Sequence, residues 1–290
     1  MNMMLLEIFI IAGVIFYVVW YALKEPKPIV FLEKFFFCAT AAWISEETSI
    51  ILYGFYDYNS VWNLCIADVP LVVVIVWPAL IHSATVVASN LLAQNSRLLP
   101  LIAGCIVLTD AMLIEPVSVN FNLWRWHQPG LFGVPLIGLL GWAYFAFFSV
   151  AFFVPIDLLK GINLKIPIVM VVSVIGTHLL LLITYWTFFR WTIRPLNPAD
   201  GAGFIWIASA ILSIFILVKR IGCRIELKTL LIRLPAAIFF YILLFVKQKS
   251  PMTLMVYSFA FILPYAVVLI RSICSDYSIC SNKTLTFQKK

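Results

Sequence analysis

Residues 66–90, IADVPLVVVIVWPALIHSATVVASN, form an apolar run long enough to cross a lipid bilayer. About 20 apolar residues in a helix span the roughly 30 Å of hydrocarbon in a membrane. Similar runs recur along the chain between short polar breaks, and we place them at 5–23, 30–53, 66–90, 98–118, 134–157, 166–188, 202–218, 232–247 and 252–270. The sequence therefore predicts an all-α, polytopic transmembrane helix bundle with about nine spanning helices. The eighth run is the weakest, so eight spans are the alternative.

The composition of the chain excludes a water-soluble protein. Of its 290 residues, 63% are hydrophobic and 11% are charged, whereas soluble domains carry about 25% charged residues. The net charge of +7 comes largely from lysines and arginines in the short breaks between apolar runs. Basic residues in such loops are typical of a topology signal rather than of a nucleic-acid interface. We therefore expect the lipid bilayer as a partner and no binding to nucleic acid.

The distribution of basic residues predicts the orientation of this multi-pass protein, because cytoplasmic loops carry an excess of lysine and arginine. Loops one, three, five and seven and the C-terminal tail hold Lys24, Lys27, Arg97, Lys160, Lys165, Lys219, Arg220, Arg224, Lys228, Lys283, Lys289 and Lys290. The opposite loops hold Arg125, Arg190, Arg194, Lys247 and Lys249. The N-terminus should therefore face outward and the C-terminus the cytoplasm. We expect residues 1–273 to form one transmembrane domain and residues 274–290 a polar cytoplasmic tail.

Five of the carboxylates within or at the edge of the predicted spans form a set near one face of the membrane. Ionisable groups in a membrane interior are costly and are usually retained for function. Glu46 and Glu47 come late in the second run, Asp68 begins the third, and Asp110 and Glu115 come late in the fourth. Because consecutive spans alternate in direction, all five should lie toward the same, outward-facing leaflet.

The chemistry of these carboxylates depends on their neighbours. No basic residue in those helix segments is placed to neutralise them, and Arg125 in the following loop is the nearest obvious partner. Carboxyls crowded into an apolar site cannot all be ionised, so at least one should hold its proton at neutral pH. Such a group is a candidate general acid. The alternative interpretation is that these groups cap helices and form interhelical hydrogen bonds near the interface.

Aromatic side chains crowd the same side of the predicted bundle. They are Trp43, Tyr53, Phe55, Tyr56, Tyr58, Trp62, Trp124, Trp126 and Trp142, with Trp77 deeper in the third run. An interfacial aromatic belt is the general explanation for such a set. The functional alternative is a cavity lining whose ring faces stabilise a carbocation. We interpret residues 120–133 as a short interfacial segment that caps this cavity.

Two blocks of sequence together resemble a known family. Residues 110–142 read DAMLIEPVSVNFNLWRWHQPGLFGVPLIGLLGW, which contains an Asp, an acidic residue before Pro, Trp-x-Trp, Gly-Val-Pro-Leu and Gly-Trp. The second block comprises Glu47, the turn YGFYDY at 53–58, Val69-Pro70 and Trp77. Over roughly residues 40–145 the chain resembles the membrane carotenoid biosynthesis proteins, a family that includes the carotenoid hydratases.

The resemblance implies an enzyme that acts on a lipophilic isoprenoid or carotenoid. Family members of known activity add water across a terminal isoprenoid double bond. The chain departs from the family pattern at two positions: Glu115 stands where Asp is usual, and Gly138 stands where a polar residue such as Asn is expected. The second departure bears on how a water molecule would be positioned.

We therefore predict a hydratase-like reaction in which a buried carboxylic acid protonates the terminal alkene and water captures the resulting cation. The predicted catalytic residues are Glu47 and Asp110, as the acid and its partner, with Glu115 and Asp68 in support. The predicted substrate-binding residues are Tyr56, Tyr58, Trp77, Trp124, Trp126 and Trp142. The three widely spaced histidines and the absence of a metal-binding motif lead us to expect no metal and no redox cofactor.

Three other functions compete with this prediction. A terpene or carotenoid end-group cyclase would use the same acid in a dry pocket, where an internal double bond captures the cation. A transporter of a small hydrophobic molecule would also place carboxylates in helices, but it predicts inverted repeats that the sequence does not show. A prenyltransferase would need several closely spaced carboxylates to bind Mg²⁺ and diphosphate.

Overall fold

The computed structural model describes residues 3–92, 97–154, 165–191, 196–219, 225, 227–246 and 250–273. Its helices are α1 Met3–Ala22, α2 Pro28–Ile51, α3 Leu71–Leu91, α4 Leu99–Asn120, α5 Leu136–Ser149, α6 Ile166–Thr187, α7 Pro198–Lys219, α8 Leu227–Leu231, α9 Leu234–Val246 and α10 Met252–Phe259. A 3-10 turn at Val150–Phe152 extends α5. Helical residues 262–273 continue α10 after a short break.

Within the described residues, eight helical segments are long and apolar enough to cross a membrane, and Leu136–Phe152 is a shorter apolar helix. This confirms the predicted all-α, multi-pass membrane protein. The shortest apolar segment is the fifth, Leu136–Phe152, and not the eighth, which the sequence indicated as the weakest run. The eighth begins earlier than predicted, at Leu227, and is interrupted between α8 and α9. The orientation of the termini and the single-domain division stay predictions, and the tail at 274–290 lies outside the described residues.

The centre of the bundle is formed by α2 to α6. Its buried contacts involve small side chains, among them Ala42 of α2, Ala84 of α3, Ala103 of α4 and Ala146 of α5. Small residues let helix backbones approach closely, which is how helices associate where lipid removes the hydrophobic driving force. The closeness is measurable at Gly104 of α4, since an added Cβ would lie 3.1 Å from the backbone oxygen of Ala143 in α5.

Helix α1 lies against this centre and is fixed by polar contacts toward both of its ends. Glu7 is 1% exposed and accepts hydrogen bonds from the backbone N–H of Asn63 at 2.7 Å and of Leu64 at 3.1 Å. Near the other end, the hydroxyl of Tyr17 lies 2.7 Å from Nδ1 of His82 in α3. A second apolar cluster joins α1 to α4, α9 and α10.

Two short strand pairs cover one end of the bundle. Strand β1, Tyr56–Tyr58, pairs antiparallel with β4, Trp124–Trp126, so that Tyr56 lies opposite Trp126 and Tyr58 opposite Trp124. Alternate residues of a strand point to opposite faces, which places these four rings on one side and Asp57 and Arg125 on the other. The segment predicted to cap a cavity is therefore half of a β-ribbon.

The second pair corrects the predicted start of the third span. Strand β2, Cys65–Ile66, pairs with β3, Val69–Pro70, and α3 begins only at Leu71. The residue before a proline favours an extended backbone, so Val69 cannot easily join the helix that follows. Asp68 consequently lies in a tight turn between strands and not within a helix.

Candidate active site

A cavity of about 190 Å³ lies between α2, α3, α4 and α5, beneath the β1–β4 ribbon. Two carboxylates, Glu46 and Glu115, lie among its walls. Its lining includes seven of the predicted site residues: Tyr56, Tyr58, Trp77, Glu115, Trp124, Trp126 and Trp142. The structure thus brings together the aromatic residues that the sequence grouped, and it places an acid from each of two helices among them.

Glu46 of α2 is held by hydroxyl and indole donors. The hydroxyls of Tyr56 and Tyr58 both donate to its Oε2, the latter at 3.0 Å, and the indole N–H of Trp77 donates to Oε1 at 2.8 Å. Burial raises the pKa of Tyr56 and of Tyr58 well above the ordinary value of tyrosine, so both are neutral hydroxyls at physiological pH. A neutral hydroxyl can accept as well as donate, so these partners suit either protonation state of Glu46.

Glu115 of α4 is held by indoles. Its Oε2 accepts from Nε1 of Trp124 at 2.8 Å and of Trp126 at 2.9 Å, and its Oε1 accepts from Nε1 of Trp142 at 2.8 Å. An indole N–H can donate but cannot accept. Three such donors favour the ionised carboxylate, which accepts on both oxygens and has no proton to place. The two acids therefore have different hydrogen-bonding environments within one cavity.

Local helix geometry explains why Glu46 rather than Glu47 enters the cavity. Ala42, Ser45, Glu46 and Ser49 are spaced by three and four residues, so they share one face of α2, and all four line the cavity. The small neighbours leave room for the carboxylate. This spacing is visible in the sequence, and it is the signal that could have identified Glu46.

Glu47 lies on the neighbouring face of α2 and contacts the β2–β3 turn. Its Oε2 accepts from the backbone N–H of Asp68 at 3.2 Å, and Trp43, one turn earlier, donates its indole N–H to the backbone oxygen of Ile66 at 3.2 Å. Neither Glu47 nor Asp68 is among the cavity-lining residues. The contact between these two predicted catalytic residues therefore holds the β2–β3 turn against α2.

Asp110 also lies away from the cavity, and its basic partner is Arg233, from a segment distant in the sequence, rather than Arg125. Its Oδ2 accepts a hydrogen bond from the guanidinium of Arg233, and its Oδ1 accepts from the hydroxyl of Tyr265 at 2.9 Å. Asp110 and Glu115 are five residues apart, which is about 140° around a helix with about 3.6 residues per turn. One face of α4 therefore cannot present both acids to one cavity.

Gly138 of α5 lies against the ring of Trp126. A Cβ at this position would lie 2.6 Å from a ring carbon of Trp126, so the polar side chain expected from the family pattern does not fit beside this rotamer. The ring of Trp126 fills the space beside Gly138, and this packing orients the indole N–H of Trp126 toward Glu115.

We expect Gly138→Ala to lower the activity predicted from the sequence while leaving the protein folded, because it displaces Trp126 from Glu115. Overpacking of this kind costs about 1–3 kcal/mol of stability. The checks are turnover in membranes and the melting temperature in detergent. The matched control is Gly13→Ala in α1, where an added Cβ meets no atom within 4 Å. Equal turnover of the two variants would show that the Trp126 position is unimportant.

An exposed ion pair between His127 and Asp57 lies on the outer face of the ribbon. The ring of His127 lies 2.7 Å from the backbone oxygen of Gly54 through Nδ1 and 2.6 Å from Oδ2 of Asp57 through Nε2. Both partners are acceptors, so only the doubly protonated imidazolium satisfies them together. The hydrogen bond to Asp57 and the bond to Gly54 raise the pKa of His127, and the bond from His127 lowers the pKa of Asp57.

This pair predicts a pH dependence of the ribbon. A raised histidine pKa contributes stability that is fully present below the ordinary histidine value and is lost as pH rises through the raised value. We expect the His127 imidazole to titrate above the ordinary histidine value, as followed by NMR, and to return toward that value in Asp57→Asn. An unchanged titration in Asp57→Asn would contradict the assignment.

Comparison with known proteins identifies the family. A family model described as carotenoid biosynthesis protein matches residues 3–196, about two thirds of the chain. The chain belongs to this family. The match confirms the resemblance seen in the sequence and extends it on both sides of the two motif blocks. No curated protein and no solved structure matches the chain. Membership places this multi-pass membrane protein in carotenoid biosynthesis.

Part of the cavity wall comes from outside the family-matched region. Ala236, Phe239 and Phe240 of α9 line the cavity, and Arg233 lies immediately before this helix. No motif marks these residues in the sequence, and only the packing of α9 against α4 brings them to the site. The candidate site of this family member is therefore completed by its C-terminal third.

Proposed function

We propose that the protein protonates a terminal C=C bond of a long isoprenoid or carotenoid and adds water to it. The observation that carries the proposal is the pair of carboxylates, Glu46 and Glu115, each held by three aromatic donors in one apolar cavity. Family membership supports a carotenoid-related substrate. No step requires a metal or a redox cofactor, since the reaction is an acid-catalysed addition.

The hydrogen-bond partners support different roles for the two acids. Glu46 is the proton donor, because its tyrosine partners accept when the carboxyl is protonated. Glu115 is the carboxylate, because its three indole partners can only donate. Two negative charges in one low-dielectric cavity repel each other, so the pair holds one proton in common. The distribution resembles other acid pairs in which different surroundings give two carboxyl groups different roles.

The reaction then balances without a further reactant. The O–H bond of Glu46 breaks, and its proton adds to the alkene carbon that bears hydrogen. The cation is left on the neighbouring, fully substituted carbon. Ring faces of Tyr56, Trp126 and Trp142, together with the charge of Glu115, stabilise it. A water oxygen forms the new C–O bond, and the proton that the water releases returns to the carboxylate pair.

The size of the cavity fits the end of a substrate rather than the whole chain. An apolar cavity of about 150 Å³ accommodates one benzene molecule, and the cavity here is about 190 Å³. A terminal isoprene unit therefore fits, while the remaining polyene stays in the bilayer. This agrees with chemistry at the terminal double bond.

The test is expression in a host that makes an acyclic carotenoid such as lycopene, followed by pigment extraction and mass analysis. The expected product is heavier by one water for each end that reacts, and it carries the label when the cells grow in heavy-oxygen water. Unmodified carotenoid in membranes that contain abundant folded protein would contradict the proposal.

An end-group cyclase is the second candidate, and one observation favours it. The indole and hydroxyl donors that hold the two carboxylates are already engaged, and Gly138 supplies no side-chain polar group, although the hydroxyls of Ser45 and Ser118 line the cavity without a hydrogen-bond partner and are available to a water. A dry cavity lets an internal double bond capture the cation. The same experiment decides, since a cyclised product has the mass of the substrate and takes up no heavy oxygen.

A further inference from the structure

The two least buried candidate spans of the described chain both reach the cavity. The apolar window of Leu227–Val246 is 17% buried and that of Met3–Ala22 is 22% buried, against 28% or more for the other six. Ile10 of the N-terminal span and Ala236, Phe239 and Phe240 of the other line the cavity. On this side, therefore, the wall of the cavity is also the lipid-facing surface of the protein.

The cavity wall meets the outer surface of the protein at Ala236. This residue lines the cavity and is also exposed, and it lies well inside an apolar 20-residue span, so its surroundings are hydrocarbon. Beside it, Phe9 is 65% exposed and stacks on Phe239, with ring centroids 6.3 Å apart and an interplanar angle of 25°. At this point a small side chain and an aromatic pair separate the carboxylates' cavity from the bilayer.

Stronger contacts flank the seam, which is the line along which α1 and α9 meet at Phe9, Ile10, Ala236 and Phe239. On one side Glu7 fixes α1 through hydrogen bonds to Asn63 and Leu64. On the other side Arg233, immediately before α9, is paired with Asp110. A ring stack gives way at lower cost than a buried, hydrogen-bonded charge. The structure therefore combines fixed anchors with a seam that can part between them.

We propose that the seam at Ile10, Ala236 and Phe239 is the opening through which the end of a lipid-dissolved isoprenoid chain enters the cavity from the bilayer. The inference rests on the proposed function, since it concerns the entry of that substrate. It accounts for how a polyene much longer than the cavity presents its end group to Glu46. The rest of the chain stays between lipid tails and is never transferred through water.

The first test enlarges the side chain at the seam. We expect Ala236→Leu and Ala236→Phe to lower kcat/KM for an acyclic carotenoid by about tenfold or more, since one excess methylene in an apolar pocket already costs about 10–200-fold. The matched control is Ala237→Leu, because Ala237 is the next residue of α9 and is not among the lining residues. The melting temperature of each of the three variants is measured as well, so that a loss of folding is separated from a block at the seam.

The second test closes the seam reversibly. In Phe9→Cys/Phe239→Cys, a short bifunctional thiosulfonate, which joins the two thiols through disulfide bonds, should stop turnover, and a thiol reductant, which cleaves those disulfides by exchange, should restore it. Each single variant, treated in the same way, controls for reaction at native cysteines. Full turnover in the bridged enzyme, or in Ala236→Phe, would overturn the entry site and leave the proposed function standing. Failure of the wild-type enzyme to convert any carotenoid would instead overturn the proposed function, and this inference with it.

Discussion

Replacing Glu46 by Gln is expected to lower carotenoid conversion by about 10²–10⁴-fold, the usual contribution of a general acid. The amide keeps the size of the side chain; its oxygen can accept from Trp77 while its NH2 group donates to the hydroxyl of Tyr58, so the cavity should keep its shape. What it loses is the proton that the alkene must receive. The measurement is the rate of product formation in membranes, normalised to the amount of folded protein.

The neighbouring residue supplies the control. Glu47→Gln makes the same chemical change one position along α2, but Glu47 contacts the backbone of Asp68 rather than the cavity. We expect near-wild-type conversion from it. A large loss in Glu47→Gln together with normal conversion in Glu46→Gln would restore the assignment made from the sequence and reject the one made from the cavity.

Replacing Arg233 by Met is expected to destabilise the protein by about 3–5 kcal/mol, because it leaves the carboxylate of Asp110 buried without a counter-charge. Both side chains are largely buried, at 10% and 13% exposed. The pair joins the break between α8 and α9 to α4, and Tyr265 from the last span donates to the same carboxylate. The measurement is the free energy of unfolding in detergent, by thermal or denaturant titration.

The double variant separates a lost ion pair from a lost side chain. In Asp110→Leu/Arg233→Met the buried charge is gone, and stability should return to near the wild-type value, since well-packed apolar residues commonly replace a buried ion pair without loss. Arg271→Met is the matched control, because Arg271 donates to the backbone oxygen of Leu217 at an exposed site and should contribute less than about 1 kcal/mol. A double variant as unstable as the single one would reject the ion-pair explanation.

How far the candidate site could be predicted differs between its parts. The aromatic residues were found because they are concentrated in two motif blocks, and all six predicted lining residues do lie around the cavity. The acids were harder to assign, since Glu46 and Glu47 are chemically identical neighbours and about 100° of helix rotation decides which one faces inward. The small residues at 42, 45 and 49 carry that information, whereas the acidic pair itself does not.

The contacts of Asp110 could not be predicted from its surroundings in the sequence. Its partner Arg233 lies 123 residues later, beyond the region that the family model matches. The wall formed by Ala236 and Phe239 has the same origin, because an ordinary apolar helix becomes part of a site only by packing beside it. The start of α3, by contrast, could have been predicted. The Val69-Pro70 pair favours an extended backbone although it lies within an apolar run.

By itself the sequence determined that the chain crosses the membrane many times and carries acids and aromatic rings near one end of the bundle. These properties depend on the hydrophobicity and order of residues that are neighbours along the chain. Only the tertiary structure decided which acids share a cavity, which acid is neutralised and which helix faces the lipid beside the site. Those outcomes depend on helix rotation and on contacts between distant segments, and no local pattern specifies them.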